Sequence, residues 1–244
     1  MLKPLVKDIS KISGYLWDKG WAEKNAGNLS VNITELFAQN IPEIKIFSYG
    51  LESEYSALRD NVILITASGS KMRDIQDEPL NHLIFLFFDK IGKRFSKYKI
   101  NNKYNLFVTE DIPSSELPTH IAVHNFLKHT GSPCKAVLHT HATELISFSH
   151  LKECTTDKKM NRKLSDMHPE FKLFIPDGIG LIKEQNSANF KIAVETIEAF
   201  KKHKIVLWKK HGVISIGENL DEAFDLIDIA SKSARIYLMS RNMQ

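Results

Sequence analysis

Ala136-Val137-Leu138-His139-Thr140-His141-Ala142-Thr143-Glu144-Leu145-Ile146 decides how this chain is read. The apolar run over 136–139 predicts a short strand, and the residues that follow predict a helix through Ile146. A strand passing into a helix is the unit from which α/β domains are built. The same junction carries two imidazoles. Residues i and i+2 of an extended chain point to one face, so His139 and His141 can reach one metal ion. A lone pair of this kind has a plainer reading too, as two polar residues at a strand end.

Working upstream, Pro113-Ser114-Ser115-Glu116 predicts a helix entry. Serine supplies the cap, Glu116 sits in the first turn, and Ile121, Phe126 and Leu127 form the buried face. Gly131 and Pro133 end that helix. The β-branched run over 62–65 predicts a buried strand that leads into the small-residue turn Thr66-Ala67-Ser68-Gly69-Ser70. Runs over 83–88 and 94–100, joined by Asp89-Lys90-Ile91-Gly92, predict a hairpin. A helix over 79–88 is disfavoured because Phe and Ile prefer strands. Residues 28–33 alternate as a strand, whereas 34–61 show no clean period and are expected to form a long loop or excursion. Leu5, Ile9, Ile12 and Leu16 recur at helical spacing, with Gly20 as a stop.

Downstream, 171–175 reads as a strand stopped by Pro176-Asp177-Gly178. A helix is expected over 187–201, a strand over 205–208, and its hairpin partner or extension over 213–216. Asn219-Leu220-Asp221-Glu222 opens a last helix with Ala223, Leu226, Ile227 and Ala230 on one face. Strands and helices interleave over 1–244 without repeat or linker, which predicts a single α/β domain.

Composition narrows the function. The 244 residues are 43% apolar and 25% charged, which argues against wholesale disorder. A net charge of +4 is too small for a nucleic-acid protein, despite Lys201, Lys202, Lys204, Lys209 and Lys210. Two cysteines, Cys134 and Cys154, exclude a disulfide scaffold and a four-cysteine zinc site. Charges are scattered through the first twenty residues, so no secretory leader is expected. The longest apolar run, 83–88, is far below a membrane span. The expected compartment is the cytoplasm, with no membrane partner.

Histidines are the unusual feature. There are ten, and seven of them lie between 120 and 168. His211-Gly212 follows an apolar strand, as the His139–His141 pair does, and is the candidate third ligand. Three histidines plus an open position is the catalytic zinc arrangement, whereas structural sites are closed by four protein ligands. His120 and His124 stand i, i+4 on the predicted helix, where packing or hydrogen bonding is the preferred reading. His82, His129, His150, His168 and His203 receive no role. Glu116 at a helix N-terminus is favoured as an anion by the helix dipole, or is simply a first-turn acid. Asn25-Ala26-Gly27-Asn28, Ser68-Gly69-Ser70 and Ser114-Ser115 are small-residue segments whose amides and hydroxyls can cradle an anion. Each alone is ordinary turn chemistry. Together, beside a metal, they would describe a phosphorylated substrate.

These elements resemble the class II aldolase/adducin family. The matching segments begin with Gly20-Trp21-Ala22-Glu23-Lys24-Asn25-Ala26-Gly27-Asn28-Leu29-Ser30, Thr66-Ala67-Ser68-Gly69 and Ser114-Ser115-Glu116-Leu117-Pro118-Thr119-His120. They continue with His139-Thr140-His141-Ala142-Thr143, Pro176-Asp177-Gly178-Ile179-Gly180, and Val206-Leu207-Trp208-Lys209-Lys210-His211-Gly212-Val213. The helix Leu220-Asp221-Glu222-Ala223-Phe224-Asp225-Leu226-Ile227-Asp228 completes them, in family order. The HxH, Ser-Ser-Glu and His-Gly elements belong to the whole family. The opening Gly-Trp-x-Glu-x-Asn, Ser-Glu-Leu-Pro and Pro-Asp-Gly-x-Gly point to its rhamnulose-phosphate branch.

The resemblance implies a three-layer α/β/α domain around a mixed, mostly antiparallel sheet. It implies one Zn²⁺ held by His139, His141 and His211, and Glu116 as catalytic acid/base. Phosphate would sit among Asn25, Asn28, Ser68, Gly69 and Ser115. Glu170 would be a second catalytic carboxylate near the aldehyde half. The implied reaction is retro-aldol cleavage of a small phosphorylated ketose in a homo-oligomer, a C4 tetramer with sites at subunit interfaces. Three alternatives stay open: a fuculose-phosphate aldolase, another sugar-phosphate lyase or epimerase of the family, and a non-catalytic module like the adducin head.

Overall fold

The computed structural model describes residues 2–37, 49–101, 105–152, 154–183 and 190–241. In chain order its elements are α1 (Leu2–Asp18), β1 (Asn28–Asn32), α2 (Thr34–Phe37), β2 (Tyr49–Gly50), β3 (Val62–Thr66), α3 (Met72–Asp77), β4 (Leu83–Phe88), β5 (Arg94–Ile100), β6 (Leu106–Val108) and α4 (Leu117–His129). The second half adds β7 (Ala136–Thr140), α5 (Thr143–Ser149), α6 (Asp157–Ser165), α7 (Pro169–Phe174), β8 (Gly180–Ile182), α8 (Phe190–Phe200), β9 (Ile205–Trp208), β10 (Gly212–Gly217) and α9 (Leu220–Arg241).

All the strands form one sheet in the order β2-β5-β4-β3-β1-β7-β10-β9-β8, with β6 paired to β5. Among the described residues every pairing is antiparallel except β8 with β9. Alternation along the strands divides the core into layers. Val62, Leu64, Phe85, Leu138 and Leu207 face α1, α3, α5 and α9. The intervening residues face the other way, Ile63 and Ile65 toward Ile121, and Val137 and Val206 toward Val123, Leu127 and Ile192 of α4 and α8. A sheet buried on both faces needs near-continuous apolar strands, as in Leu83–Phe88. The result is the expected three-layer mixed, mostly antiparallel α/β architecture.

The expected 83–100 hairpin is present, with Phe85 opposite Tyr98, and so is the hairpin of β9 and β10. Pro79–His82 form only a short 3-10 turn ahead of β4.

Two readings are corrected. The segment over 171–175 is not a strand, because it lies in helix α7 and its end. Pro169 sits at the first helical position, and the His168 ring accepts a hydrogen bond from the Phe171 amide, so start signals override an apolar run. Of the two alternatives for the span 34–61, the plain loop is corrected, since the span contains α2, β2 and a 3-10 turn at Ser56–Leu58. Residues 38–48 of that span, and 187–189 of the expected helix over 187–201, lie outside the described residues.

Antiparallel pairing also fixes where the chemistry can be. Asn28 opens β1, Thr66 closes β3, Thr140 closes β7 and Gly212 opens β10. Asn28 lies opposite His139, and Val213 lies opposite Thr140. These ends therefore meet at one edge of the central sheet. Among the described residues no helix is long and apolar enough to cross a membrane.

Candidate metal centre and anion cradle

His139, His141 and His211 converge at that edge. One ring nitrogen from each lies within 4.8 Å of the others. His139, on β7, is fully buried, and its Nδ1 donates to the Val213 carbonyl at 3.0 Å. That bond leaves Nε2 as a bare lone pair, and this buried atom has no hydrogen-bond partner among the described residues. His141 Nδ1 donates to Glu23 Oε1 at 2.7 Å, which likewise frees Nε2. Carbonyl and carboxylate partners of this kind orient metal-binding imidazoles and raise their basicity. Burial and the neighbouring imidazoles push the pKa of His139 well below its ordinary value. Burial, followed by His141, lowers that of His211. Both rings are thus kept neutral, the form that binds a metal. The donor set fits a divalent ion of the zinc class.

The β9–β10 connection explains the third ligand. Lys210 adopts a left-handed backbone, φ 63°, which turns the chain sharply before His211. The Lys210 amide is tied to Ser149 Oγ at 2.8 Å. Gly212 is required next, because a Cβ there would lie 2.7 Å from the Thr140 carbonyl and 2.8 Å from the His139 ring. Trp208 packs on His139, ring centroids 4.7 Å apart.

Glu116 reaches the cluster from the N-terminal end of α4, the helix packed on the face of β7 that His139 shares with Val137. It is the residue that caps α4 rather than a member of its first turn, at φ −90°, ψ 10°. The Ser114 hydroxyl accepts from its amide. Its Oε1 lies 3.4 Å from His139 Nε2 and 3.8 Å from His211 Nε2. Only 7% of the residue is exposed, and that burial raises its pKa against a hydrogen bond from Asn28.

Beside the cluster lies a cavity of about 330 Å³. Asn25, Asn28, Ser68, Gly69 and Ser115 all line it, together with Glu116 and His141. The turn amide of Ser68 donates to the Ile112 carbonyl and that of Ser114 to the Thr66 carbonyl, so the two small-residue segments are held side by side. Gly27, at φ 80°, passes 3.3 Å from the His139 carbonyl measured from an added Cβ, so the third segment lies against β7. Ser70, in the expected small-residue turn, lines the cavity too, as do Glu23 and Lys24, to which the sequence assigns no role. Pairing of Glu23 with His141 spans 118 positions and has no local signature, although Glu23 stands inside a quoted motif.

Glu170 is not brought to the cluster. It lies on α7, 3.3 Å from His168, in a separate cavity of about 830 Å³ shared with Trp21, Glu144 and Arg235. None of the three metal-site histidines lines that larger cavity. The two cavities flank one stretch of chain, since Trp21 lines the larger and Glu23 the smaller. The Trp21 carbonyl accepts from the His141 amide and the Thr140 hydroxyl, which pins that stretch to the end of β7.

A histidine cluster with one buried member, an acidic helix cap and a cavity lined by small-residue turns lie together at this end of the sheet, a combination suited to a metal-dependent aldolase. The chain belongs to the class II aldolase and adducin N-terminal domain family, whose model matches residues 7–238. It is 34% identical to the rhamnulose-1-phosphate aldolase of Bacteroides thetaiotaomicron over 98% of this chain and 86% of that protein. It is 32% identical to the rhamnulose-1-phosphate aldolase of Pectobacterium carotovorum, with the same coverage. The crystal structure of a sugar-phosphate aldolase from Thermotoga maritima matches with a TM-score of 0.78 and 28% identity, over 99% of this chain and 97% of that one.

Proposed function

We propose that this chain, as one domain, is a zinc-dependent aldehyde-lyase of cytoplasmic rhamnose metabolism. It cleaves L-rhamnulose 1-phosphate to dihydroxyacetone phosphate and L-lactaldehyde. The observation that carries the reading is the orphaned Nε2 of buried His139, facing the Glu116 carboxylate at the mouth of a cavity lined by small-residue turns. Similarity to two rhamnulose-1-phosphate aldolases supports the substrate.

His139, His141 and His211 would hold the ion. When bound, it supplies a Lewis acid that polarises the substrate ketone and withdraws the charge released by bond cleavage. Asn25, Asn28, Ser68, Gly69 and Ser115 grip the phosphate and so set the depth of the sugar. A base takes the C4 hydroxyl proton, C4 becomes the aldehyde carbon, and the C3–C4 electron pair passes to the three-carbon fragment. Glu116, its pKa raised by burial, holds a proton and delivers it to the terminal carbon of that fragment. No Schiff-base lysine takes part. Glu170 serves the aldehyde half from a neighbouring copy in a C4 tetramer, because within one chain it lies in the other cavity.

The deciding experiment is dihydroxyacetone phosphate release from L-rhamnulose 1-phosphate and from L-fuculose 1-phosphate, with and without chelator. We expect release from the rhamnulose ester, abolished by chelator and restored by zinc. Preferential release from the fuculose ester would reassign the substrate, and no release from either would overturn the reading. Native mass measurement tests the tetramer.

A further inference from the structure

Behind Glu116 a line of hydrogen bonds runs from cavity-lining Asn28 into the interior, through residues to which the cleavage steps give no role. Asn28 Nδ2 donates to Glu116 Oε2 at 3.1 Å. Asn28 Oδ1 lies 2.6 Å from His120 Nε2, and His120 Nδ1 lies 2.6 Å from Ser30 Oγ. Ser30 Oγ in turn lies 2.8 Å from His124 Nε2. Ser30 and His120 are wholly buried, and His124 is 1% exposed. The i, i+4 spacing puts both rings on one face of α4, against the side of β1 that Ser30 occupies.

The direction of these bonds follows from donor arithmetic. Asn28 turns its NH₂, which can only donate, toward Glu116 Oε2, so its carbonyl oxygen faces His120 and needs a donor there. His120 Nε2 must therefore carry a hydrogen. Burial holds both histidine pKa values down at about 3, so the rings are neutral and His120 Nδ1 is an acceptor. Ser30 spends its single hydroxyl hydrogen on that nitrogen. Its oxygen then accepts from Nε2–H of His124. Every donor points toward Glu116, and bonds aligned in series strengthen one another in a low-dielectric interior. Leucines at 120 and 124 would fill the same space but leave the buried Ser30 hydroxyl and the Asn28 carbonyl oxygen without these partners.

We propose that Ser30, His120 and His124 are positioning residues for Glu116: they lock the Asn28 amide with its NH₂ toward the carboxylate and so hold Oε1 in front of the histidine cluster. The proposal rests on the reading of Glu116 as the acid/base of cleavage.

Two kinds of measurement test it. Long-range nitrogen–proton NMR of the zinc-loaded protein at neutral pH should show both His120 and His124 as Nε2–H tautomers, and an Nδ1–H tautomer at His120 overturns the proposal. In kinetics, His120→Leu should lower kcat for cleavage, and proton exchange on dihydroxyacetone phosphate, by about tenfold, roughly one hydrogen bond to a charged group. KM and zinc content should stay within about twofold of the parent, since that bond acts after substrate and metal are bound. His120→Gln, which keeps a donor near the Nε2 position, should recover most of the loss. Unchanged kcat in His120→Leu, or no rescue by His120→Gln, overturns the proposal. Should His120→Leu fail to fold, Ser30→Ala carries the same kinetic test by removing one oxygen atom. If the parent protein neither cleaves nor exchanges, the cleavage reading fails instead, and the tautomers still report on the line of hydrogen bonds.

Discussion

Two groups of histidines flank Glu116 in this protein and spend their ring nitrogens differently. His120 and His124 on α4 are as buried as His139 on β7. Spacing i, i+4 on a helix would serve a metal as well as i, i+2 at a strand end. What separates the two groups is what remains after hydrogen bonding. On α4, Nδ1 and Nε2 of His120 and Nε2 of His124 are taken up by Ser30 and Asn28. At the strand ends, Nδ1 of His139 and of His141 is occupied by a carbonyl and a carboxylate, and Nε2 is left over. Metal competence is therefore a matter of unspent lone pairs, which neither burial nor the density of histidines in a sequence reports.

The comparison is broken most severely by exchanging the roles. His139→Ala should remove bound metal, measured by elemental analysis, and with it several kcal/mol of transition-state stabilisation, roughly a thousandfold in turnover. If that variant keeps both zinc and activity, the two groups of histidines do not differ as argued. Glu116→Gln comes next. It preserves the shape and the bond from Asn28 only in part, should retain metal, and should lose about a hundredfold or more in proton exchange on dihydroxyacetone phosphate. Normal exchange would remove Glu116 from the chemistry. Glu23→Gln is milder. It leaves the His141 ring in place with a weaker acceptor and should loosen metal affinity by about 10–100-fold, seen by competition with a chelating dye, with activity returning at high metal.

Much of this was legible in the sequence, for identifiable reasons. Strands buried on both faces announce themselves as apolar runs, as 62–65, 83–88 and 205–208 do. The HxH pair lies within three residues and needs only strand geometry to converge. His211 was within reach because it too follows an apolar strand. Asn25, Ser68 and Ser115 stand in small-residue turns that the sequence displays, and one cavity is lined by all three. Helix α7 was missed because Phe171, Leu173, Phe174 and Ile175 look like a strand, while the His168 cap that starts the helix is an unusual capping residue. Glu170 could not be located, since proximity to the histidines is a property of three dimensions. Direct hydrogen bonds such as Glu23 to His141 and Asn28 to Glu116 join distant positions and leave no periodic trace.

The smallest expected effect concerns stability in acid, and it tests the same contrast without substrate. In the folded chain His120 and His124 titrate only near pH 3, because burial opposes their charging. In the unfolded chain they take up protons near the ordinary value of 6.5. A folded pKa that is depressed gives stability that is fully present above pH 6.5 and drains away as pH falls toward 3, since only the unfolded state gains protons in that window. Each such histidine should steepen the loss by about 1.4 kcal/mol per pH unit. Urea unfolding of chelator-treated protein between pH 6 and 4 should therefore be shallower in pH for His124→Gln than for the parent, by about one proton's worth. Chelator treatment keeps metal loss from the strand-end histidines out of the measurement. An unchanged slope would mean that His124 is charged in the folded state, and a charged ring would donate from both nitrogens and break the one-way order of bonds that ends on Glu116.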